Sequence, residues 1–281
     1  MVYTYTAVFY VLGGTMKYSL PFYTTNPYLK QADEISIRYD APCEPSLMDF
    51  LDEHIGQRVV LRIARDNKMT AKNYQFLQAI VKQYAEGTIA LRFESLDDGG
   101  AKYGLPHFFY YHCNDIEQAI ELEKQGVTDV YITGNLCYWL PELRRRLHCN
   151  IRVYPNIAQS SIDCSDPYTK FFIRPEDVKL FEPYIDYFEF YTEDCARAAD
   201  LYHIYRVDKH YEGRLESLIT GFPQFLIHNE CLDQGLAAEK LYCHKNCIYG
   251  SNCQTCKKWF NLAQSLYNNK YTISLQKDKS E

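Results

Sequence analysis

Residues Arg58 to Phe93 read RVVLRIARDNKMTAKNYQFLQAIVKQYAEGTIALRF, and this segment sets the architecture of the chain. Its first six residues form a short run rich in β-branched side chains, which predicts a strand. Residues 70–85 place apolar side chains at helical spacing and are followed by Gly87, which predicts a helix and its end. The last six residues predict a second strand. A strand, a helix and a strand in this order form one βα unit of a parallel sheet.

The same alternation continues on both sides of this unit. Strands are predicted at 34–39, 58–63, 88–93, 107–111, 129–133, 151–154, 170–173, 187–191 and 224–227. Helices are predicted at 46–55 with Ser46 as N-cap, at 70–85, after an N-cap at Asn114, at 138–147, from Pro175 onward and at 194–205. Eight or nine strands separated by helices favour an α/β fold of the (β/α) barrel type. A doubly wound open sheet is the alternative, but the chain contains neither GxGxxG nor GxxxxGK[ST].

The length and composition fit one large barrel with an appendage. The chain has 281 residues, of which 47% are hydrophobic and 15% aromatic. A barrel takes about 200 to 250 residues. The segment before Met16-Lys17 has little structural pattern, so we expect residues 1–15 to be either a non-native extension before a natural start at Met16 or a loosely ordered one. Residues 16–228 are predicted to form the barrel, and 229–281 a cysteine-rich metal segment with a C-terminal helix.

Charge and hydropathy disfavour several classes of protein. Lys and Arg number 30 against 36 Asp and Glu, a formal charge of −6, so no basic field for a nucleic-acid backbone is expected. No run approaches the roughly 18 apolar residues of a membrane span. The first 15 residues contain no Lys or Arg, unlike a secretory signal. We expect a cytoplasmic protein with reduced thiols and no membrane partner.

The cysteines are unevenly distributed. Four of the eleven, Cys243, Cys247, Cys253 and Cys256, fall within 14 residues. Two close pairs separated by a short turn can bring four thiolates to one point, which predicts a metal site. Zinc fits the two-residue gap of the second pair, whereas an iron–sulfur cluster accepts irregular spacings and a remote ligand. Cys231 and Cys43 are further candidate ligands outside this segment, and His244, next to Cys243, is a possible substitute ligand.

The segment Asn229-Glu230-Cys231, followed by Cys243-x3-Cys247 and preceded by Cys43 after an early strand, resembles the bacterial collagenase-like peptidase family. The resemblance covers roughly residues 34–256. It implies an iron–sulfur cluster held by Cys43, Cys231, Cys243 and Cys247, and an enzyme or enzyme subunit that hydroxylates RNA bases or quinones.

That family pattern does not require Cys253 and Cys256, which complete a four-cysteine set with Cys243 and Cys247. A second hypothesis is therefore a non-catalytic binding or assembly protein with a structural zinc site. Metal identity and ligand set stay open between the two, and a protein partner is compatible with either.

Candidate catalytic groups are expected just after the strands, because barrels place functional residues there. These positions are Cys43, Arg65, Asp66, Glu94, His112, Asn135, Asn156, Arg174, Glu193 and Glu230. Adjacent strand residues point to opposite faces, which argues against a nucleophile and base pair at His112 and Cys113. Two further clusters are ambiguous: tyrosines 202, 205 and 211 predict either a stacking surface or core, and arginines 144–146 either a phosphate contact or a solvated helix surface.

Overall fold

A computed structural model of the 281-residue chain describes residues 16–22, 27–39, 44–63, 69–84, 88–93, 107–109, 112–113, 115–158, 170–190, 192, 194–222, 227–241, 243 and 254–277. The predicted extension 1–15 and the predicted strand 224–227, except Ile227, lie outside these residues. Within them, no helix combines the length and the apolar character needed to cross a membrane.

The described strands form a single parallel sheet. They are β1 Lys17–Pro21, β2 Glu34–Arg38, β3 Arg58–Ile63, β4 Ile89–Phe93, β5 His107–Phe109, β6 His112–Cys113, β7 Asp129–Ile132, β8 Asn150–Val153 and β9 Tyr187–Glu189. Their order in the sheet is β5-β4-β3-β2-β1-β9-β8-β7-β6. Every neighbouring pair in this order is parallel.

This order confirms the (β/α) barrel over the doubly wound sheet. A doubly wound sheet reverses its strand order at a switch point. Here each strand from β2 to β5 and from β7 to β9 lies beside its predecessor in the chain, and β1 pairs with both β2 and β9. The two ends of the order, β5 and β6, are consecutive in the chain, and β5 also approaches β7. The sheet therefore curls into a barrel.

The described helices lie between and after these strands in the chain. They are α1 Glu44–Glu53, α2 Ala71–Gln83, α3 Ile116–Lys124, α4 Leu140–Arg146, α5 Val178–Phe181, α6 Cys195–Tyr202, α7 Leu215–Leu218, α8 Gly235–Leu241 and α9 Gln254–Lys277. Short 3-10 helices stand at Leu29–Gln31, Gly134–Trp139, Pro175–Asp177 and Asn229–Cys231, and a π-helical turn at His203–Asp208 extends α6.

Several predicted boundaries were wrong. β1 precedes the first predicted strand and was not predicted, because its sequence Lys-Tyr-Ser-Leu-Pro contains no β-branched residue. Residues 170–173 form none of the strands in the described sheet, since β8 and β9 pair directly and leave no place between them. The N-cap of α3 is Asp115, whose carboxylate accepts the Glu117 N–H at 3.1 Å, and not Asn114. α1 begins at Glu44, two residues before the predicted cap.

Successive side chains of each strand point to opposite faces of the sheet, and the two faces differ in chemistry. Outward-facing residues such as Ile35, Val59, Leu61 and Leu91 join one hydrophobic core beneath the helices. Inward-facing positions on the same strands carry Glu34, Ser36, Arg58, Arg92, Asp129, Arg152 and Glu189. The lumen of the barrel is therefore polar and charged, unlike a lumen packed with branched aliphatic side chains.

Candidate functional site

The deeper part of the lumen is organised around Arg152 of β8. Its guanidinium donates to both carboxylate oxygens of Glu34 at 2.7 and 2.8 Å, and to Asp129 at 2.7 Å. Arg58 adds a second cation to Glu34 at 3.1 Å. Arg152 also lies over the ring of Tyr187 at 4.0 Å. Since Arg152, Glu34 and Asp129 are fully buried, each charge is held by a partner rather than by water.

The upper part of the lumen is organised around Arg92, near the carboxyl end of β4. Arg92 donates to both oxygens of Glu189 at 2.9 and 2.8 Å and to the hydroxyl of Tyr154 at 3.3 Å. Arg92 also donates to the hydroxyl of Tyr131, which in turn donates to Glu189. These contacts join β4, β7 and β9 across the barrel.

Burial and the neighbouring cations shift the pKa of Glu189 in opposite directions. Burial raises the pKa of Glu189, but the cations Arg92, Arg62 and Arg152 outweigh it, so the pKa lies below the ordinary value of 4.5. Burial raises the pKa of the Tyr131 phenol well above its ordinary value. Glu189 is therefore an anion and Tyr131 a neutral donor at neutral pH.

Three of the predicted metal ligands lie on described residues. Cys231 ends the 3-10 helix Asn229–Cys231 and is half-buried. Cys243 follows α8, and Cys256 lies in the first turn of α9; both are buried. The 3-10 helix and α8 each pack against α9. The three cysteines therefore belong to one set of packed elements.

These elements lie on the side of the barrel where β7 and β8 end. α8 packs against the 3-10 helix Gly134–Trp139, which begins two residues after β7. Buried Lys240 of α8 lies 4.6 Å from the ring centre of Phe172 and donates to the carbonyl of Lys170. The N–H of Ile173 bonds at 3.2 Å to the carbonyl of Pro155, just after β8.

A buried arginine fixes the backbone on both sides of Cys231. Arg174 donates to the carbonyls of Asn229 at 3.2 Å and Leu232 at 2.6 Å. It also forms a bidentate ion pair with Asp177 at 2.7 and 2.9 Å. Burial nevertheless raises the pKa of Asp177 above its ordinary value, against the opposing effect of Arg174. The predicted barrel-end residue Arg174 is thus a positioning residue for the Cys231 segment.

Within the described part of the chain, no three His, Cys, Asp or Glu side chains form a group that could hold a metal ion. Both predicted ligand sets extend beyond it, because Cys43, Cys247, Cys253 and His244 lie outside the described residues. The predicted metal centre therefore stays a prediction.

Three other described cysteines, Cys113, Cys137 and Cys149, are buried core residues. Burial raises the pKa of Cys113 and of Cys149 to about 12, with smaller contributions from Asp115 and Glu123 respectively. Burial also raises the pKa of Cys137, whose thiol lies 3.7 Å from the carbonyl of Ile132. All three are neutral thiols near pH 7, which distinguishes them from thiolate ligands.

Other predicted site residues have more ordinary surroundings. Asn156 is buried, and its carbonyl accepts the Thr220 N–H at 2.7 Å. Glu230 lies 3.9 Å from His228. His112 and Asn135 are described in their backbone only, and four predicted residues lie outside the described part: Arg65, Asp66, Glu94 and Glu193.

The two ambiguous clusters are now assigned. Tyr202 and Tyr205 are buried, and their hydroxyls donate to the carbonyls of Gln31 at 2.9 Å and Ile173 at 2.7 Å, so they are core residues. Arginines 144, 145 and 146 pair with Asp186, Glu142 and Glu117 at 2.6 to 2.7 Å. They form an ordinary salt-bridged helix surface.

Sequence reasoning missed the charged lumen. The signal was present in the strand at 34–38, where Glu34, Ser36 and Arg38 alternate with isoleucines. It was also present in Arg58 and Arg62, which flank the valines and leucine of the next strand. Charged residues at every second strand position indicate a polar face, and in a barrel one face is the lumen.

Comparison with known proteins does not identify a family for this chain. No family model and no curated protein matches the chain. Among solved structures, the chain is similar to a glycerol uptake operon antiterminator-related protein from Thermotoga maritima. The identity is 12% and the TM-score 0.42, and the match covers 65% of this chain and 98% of that one.

Proposed function

We propose that this chain is a metal-binding barrel protein, with an iron–sulfur cluster favoured, that takes part in hydroxylation of an aromatic substrate such as an RNA base or a quinone. One observation carries the proposal: the elements bearing Cys231, Cys243 and Cys256 pack together beside the carboxyl ends of β7 and β8. Functional groups of (β/α) barrels gather at that end. A redox centre there would lie beside the mouth of the lumen.

The chemistry of the cysteines supports this proposal. The buried thiols Cys113, Cys137 and Cys149 are neutral and lie in the hydrophobic core. Cys231 is half-buried, on a backbone segment fixed by Arg174. Iron–sulfur clusters take cysteine ligands from irregular spacings, including remote ones, which suits Cys43 and Cys231 together with Cys243 and Cys247.

A structural zinc site without catalysis is the second candidate. The observation that favours it is the burial of Cys243 and Cys256 where α8 meets α9. Buried Lys240 of α8 lies 5.8 Å from the ring centre of Phe260 in α9, so this helix pair is already a packed unit. Zinc held by Cys243, Cys247, Cys253 and Cys256 would join the two helices.

Anaerobic purification with metal analysis tests both candidates. An iron–sulfur protein contains iron and acid-labile sulfide and is coloured, whereas a zinc protein is colourless with one zinc per chain. Cys231→Ser should lower metal content only in the first case and Cys256→Ser only in the second. Cys247→Ser should lower it in both. Cys149→Ser is the control, and metal content unchanged in all three ligand variants would contradict the proposed centre.

The substrate class needs a separate measurement. Mass spectrometry of RNA nucleosides and quinones would compare cells that express the wild-type chain with cells that express Cys231→Ser. A base or quinone that gains one oxygen atom only with the wild type supports hydroxylation. Identical profiles together with a bound cluster would refute the substrate assignment and keep the metal site.

A further inference from the structure

Three arginines on neighbouring strands lie side by side near the carboxyl ends of β2, β3 and β4. Arg38 is in register with Arg62, and Arg62 with Arg92. Arg92 reaches across the lumen to Glu189, so this face of the strands is the inner one. Residues in register on parallel strands share a face, and Arg62 and Arg38 therefore face the same mouth.

The row is graded in exposure from the interior to the solvent. Arg92 is buried, Arg62 is half-buried and Arg38 is exposed. Solvent also reaches deeper: Ala90, two residues before Arg92 on the inner face, is half-buried, although its outward neighbours Ile89 and Leu91 are buried. Solvent therefore reaches the outer part of this row, at Arg62 and Arg38.

Positive charge exceeds negative charge on the described inner face, although the whole chain carries −6. Five inward arginines, namely 38, 58, 62, 92 and 152, stand against three carboxylates, Glu34, Asp129 and Glu189. Glu34 and Asp129 are bound by the deeper arginines, and Glu189 is bound by Arg92. Like charges on directly opposed strand positions repel. This arrangement favours an anionic ligand at the upper row.

Three buried donors on the inner face of the sheet have no hydrogen-bond partner among the described residues. They are Nε of Arg62, Oγ of Ser36 and Oγ of Ser19. Ser36 is in register with Val60, one inward position below Arg62, and both serines are fully buried on the inner face. A buried donor left unsatisfied is costly, whereas an oxyanion accepts from guanidinium and hydroxyl groups together.

We infer that the carboxyl-terminal mouth of the barrel at β2, β3 and β4 is an oxyanion-binding site, in which Arg62 and Ser36 hold the phosphate or carboxylate group of a small ligand. Arg92 supports the site by forming a bidentate ion pair with Glu189, the carboxylate on the same inner face. The inference does not depend on the proposed metal centre, since its residues lie on other strands.

Binding of three probes to the full chain tests this site. The probes are phenyl phosphate, benzoate and phenol, which share one ring and differ in the group attached to it. Isothermal titration at constant ionic strength should show binding of one or both anions and none of phenol. Preference between the anions identifies the oxyanion as phosphate or carboxylate. Equal behaviour of all three probes would overturn the inference.

Substitutions locate the site. Arg62→Gln should weaken anion binding by about tenfold or more, as expected for loss of a charge-assisted hydrogen bond. Arg62→Lys should retain part of the affinity, and Arg145→Gln on the outer surface should leave it unchanged. Unaltered binding in Arg62→Gln would refute the assignment to this mouth.

A second variant guards against loss of folding in Arg62→Gln. Ser36→Ala keeps all charges and should reduce the thermal stabilisation that the bound anion gives, measured against chloride at equal ionic strength. If Arg62→Gln does not fold, the Ser36→Ala result decides. Equal stabilisation of wild type and Ser36→Ala by the anion would show that the anion binds elsewhere. Anion binding that is equal in wild type and Cys231→Ser would show that the site is independent of the metal centre.

Discussion

Arg152 of β8 and Glu34 of β2 form a bidentate ion pair at 2.7 and 2.8 Å although 118 residues separate them in the chain. Both side chains are fully buried. β9 and β1 lie between their strands in the sheet, so the pair spans the lumen. The curled sheet is thereby joined internally by charge as well as by backbone hydrogen bonds.

Removal of this cation should be severely destabilising. Arg152→Met leaves Glu34 and Asp129 buried without their main partner, and breaking a buried ion pair in this way costs about 3 to 5 kcal/mol. The free energy of unfolding from urea denaturation measures the loss. Arg145→Met, which removes an exposed pair with Glu142, is the control and should leave the midpoint unchanged. A loss in Arg152→Met no larger than in the control would contradict a stabilising role for the lumen pair.

Glu189 should make stability depend on acid pH. Its pKa is lowered in the folded chain, so its contribution is present above its ordinary value of 4.5 and is lost as pH falls through the lower folded value. The difference in unfolding free energy between wild type and Glu189→Gln should therefore shrink on acidification below about pH 4.5. Chemical denaturation across pH 3 to 7 measures it. A difference that stays constant over this range would show that Glu189 titrates normally.

Buried tyrosines should make the stability of the fold decrease at alkaline pH. Burial raises the pKa of Tyr131 and Tyr205 well above 10, so stability from their neutral forms is present below pH 10 and is lost as pH rises beyond it. Phenolate absorbance should show these tyrosines ionising only when the chain unfolds. Tyr131→Phe should reduce that late, cooperative component by one residue. Ionisation of all tyrosines before unfolding would contradict the burial of these phenols.

The dispersed buried cysteines should be unreactive in the native protein. Cys113 and Cys149, with pKa values raised to about 12, and Cys137 are neutral thiols that an alkylating agent reaches only after unfolding. Peptide mass spectrometry after a short iodoacetamide treatment at pH 7.5 checks this. Half-buried Cys231 serves as the internal comparison once metal has been removed. Rapid native labelling of Cys137 would refute its buried position.

Helix α3 offers a test of the corrected N-cap. Asp115→Ala removes the carboxylate that accepts the Glu117 N–H and should cost about 1 kcal/mol. Asn114→Ala, at the position that the sequence predicted, should have a smaller effect. Thermal unfolding of the two variants compares them directly, and the reverse order would restore Asn114 as the cap.

Arg174 should control the segment that carries Cys231. Arg174→Met removes the donors that hold the carbonyls of Asn229 and Leu232 and leaves Asp177 without its partner. We expect faster limited proteolysis near residues 229–232 and, if the metal proposal is right, lower metal content. Arg206→Met, on the π-helical turn, is the control. Equal proteolysis rates in the two variants would show that Arg174 does not fix this segment.

The strand at 58–63 and the helix at 71–83 were predicted within one or two residues, since each follows from periodicity within its own segment. β1 was missed because its alternation of Lys17, Ser19 and Pro21 with Tyr18 and Leu20 resembles a loop until it pairs with β2 and β9. Residues 170–173 were predicted to be a strand of the sheet, but they form none of its described strands. Their aromatic run suits a buried face, but pairing of β8 with β9 excludes them from the sheet.

The amino-acid pattern alone was sufficient to specify βα units, a parallel sheet and the clustering of cysteines near the C-terminus, because these depend on spacing between near neighbours. The pairing of strands that are remote in the chain decided the rest. Only when β1 pairs with β9 do Arg92, Glu189 and Tyr131 meet across the lumen, whereas the register of β2, β3 and β4 brings Arg38, Arg62 and Arg92 side by side. No local sequence pattern predicts contact between residues that are remote in the chain, because the curvature of the whole sheet brings them together.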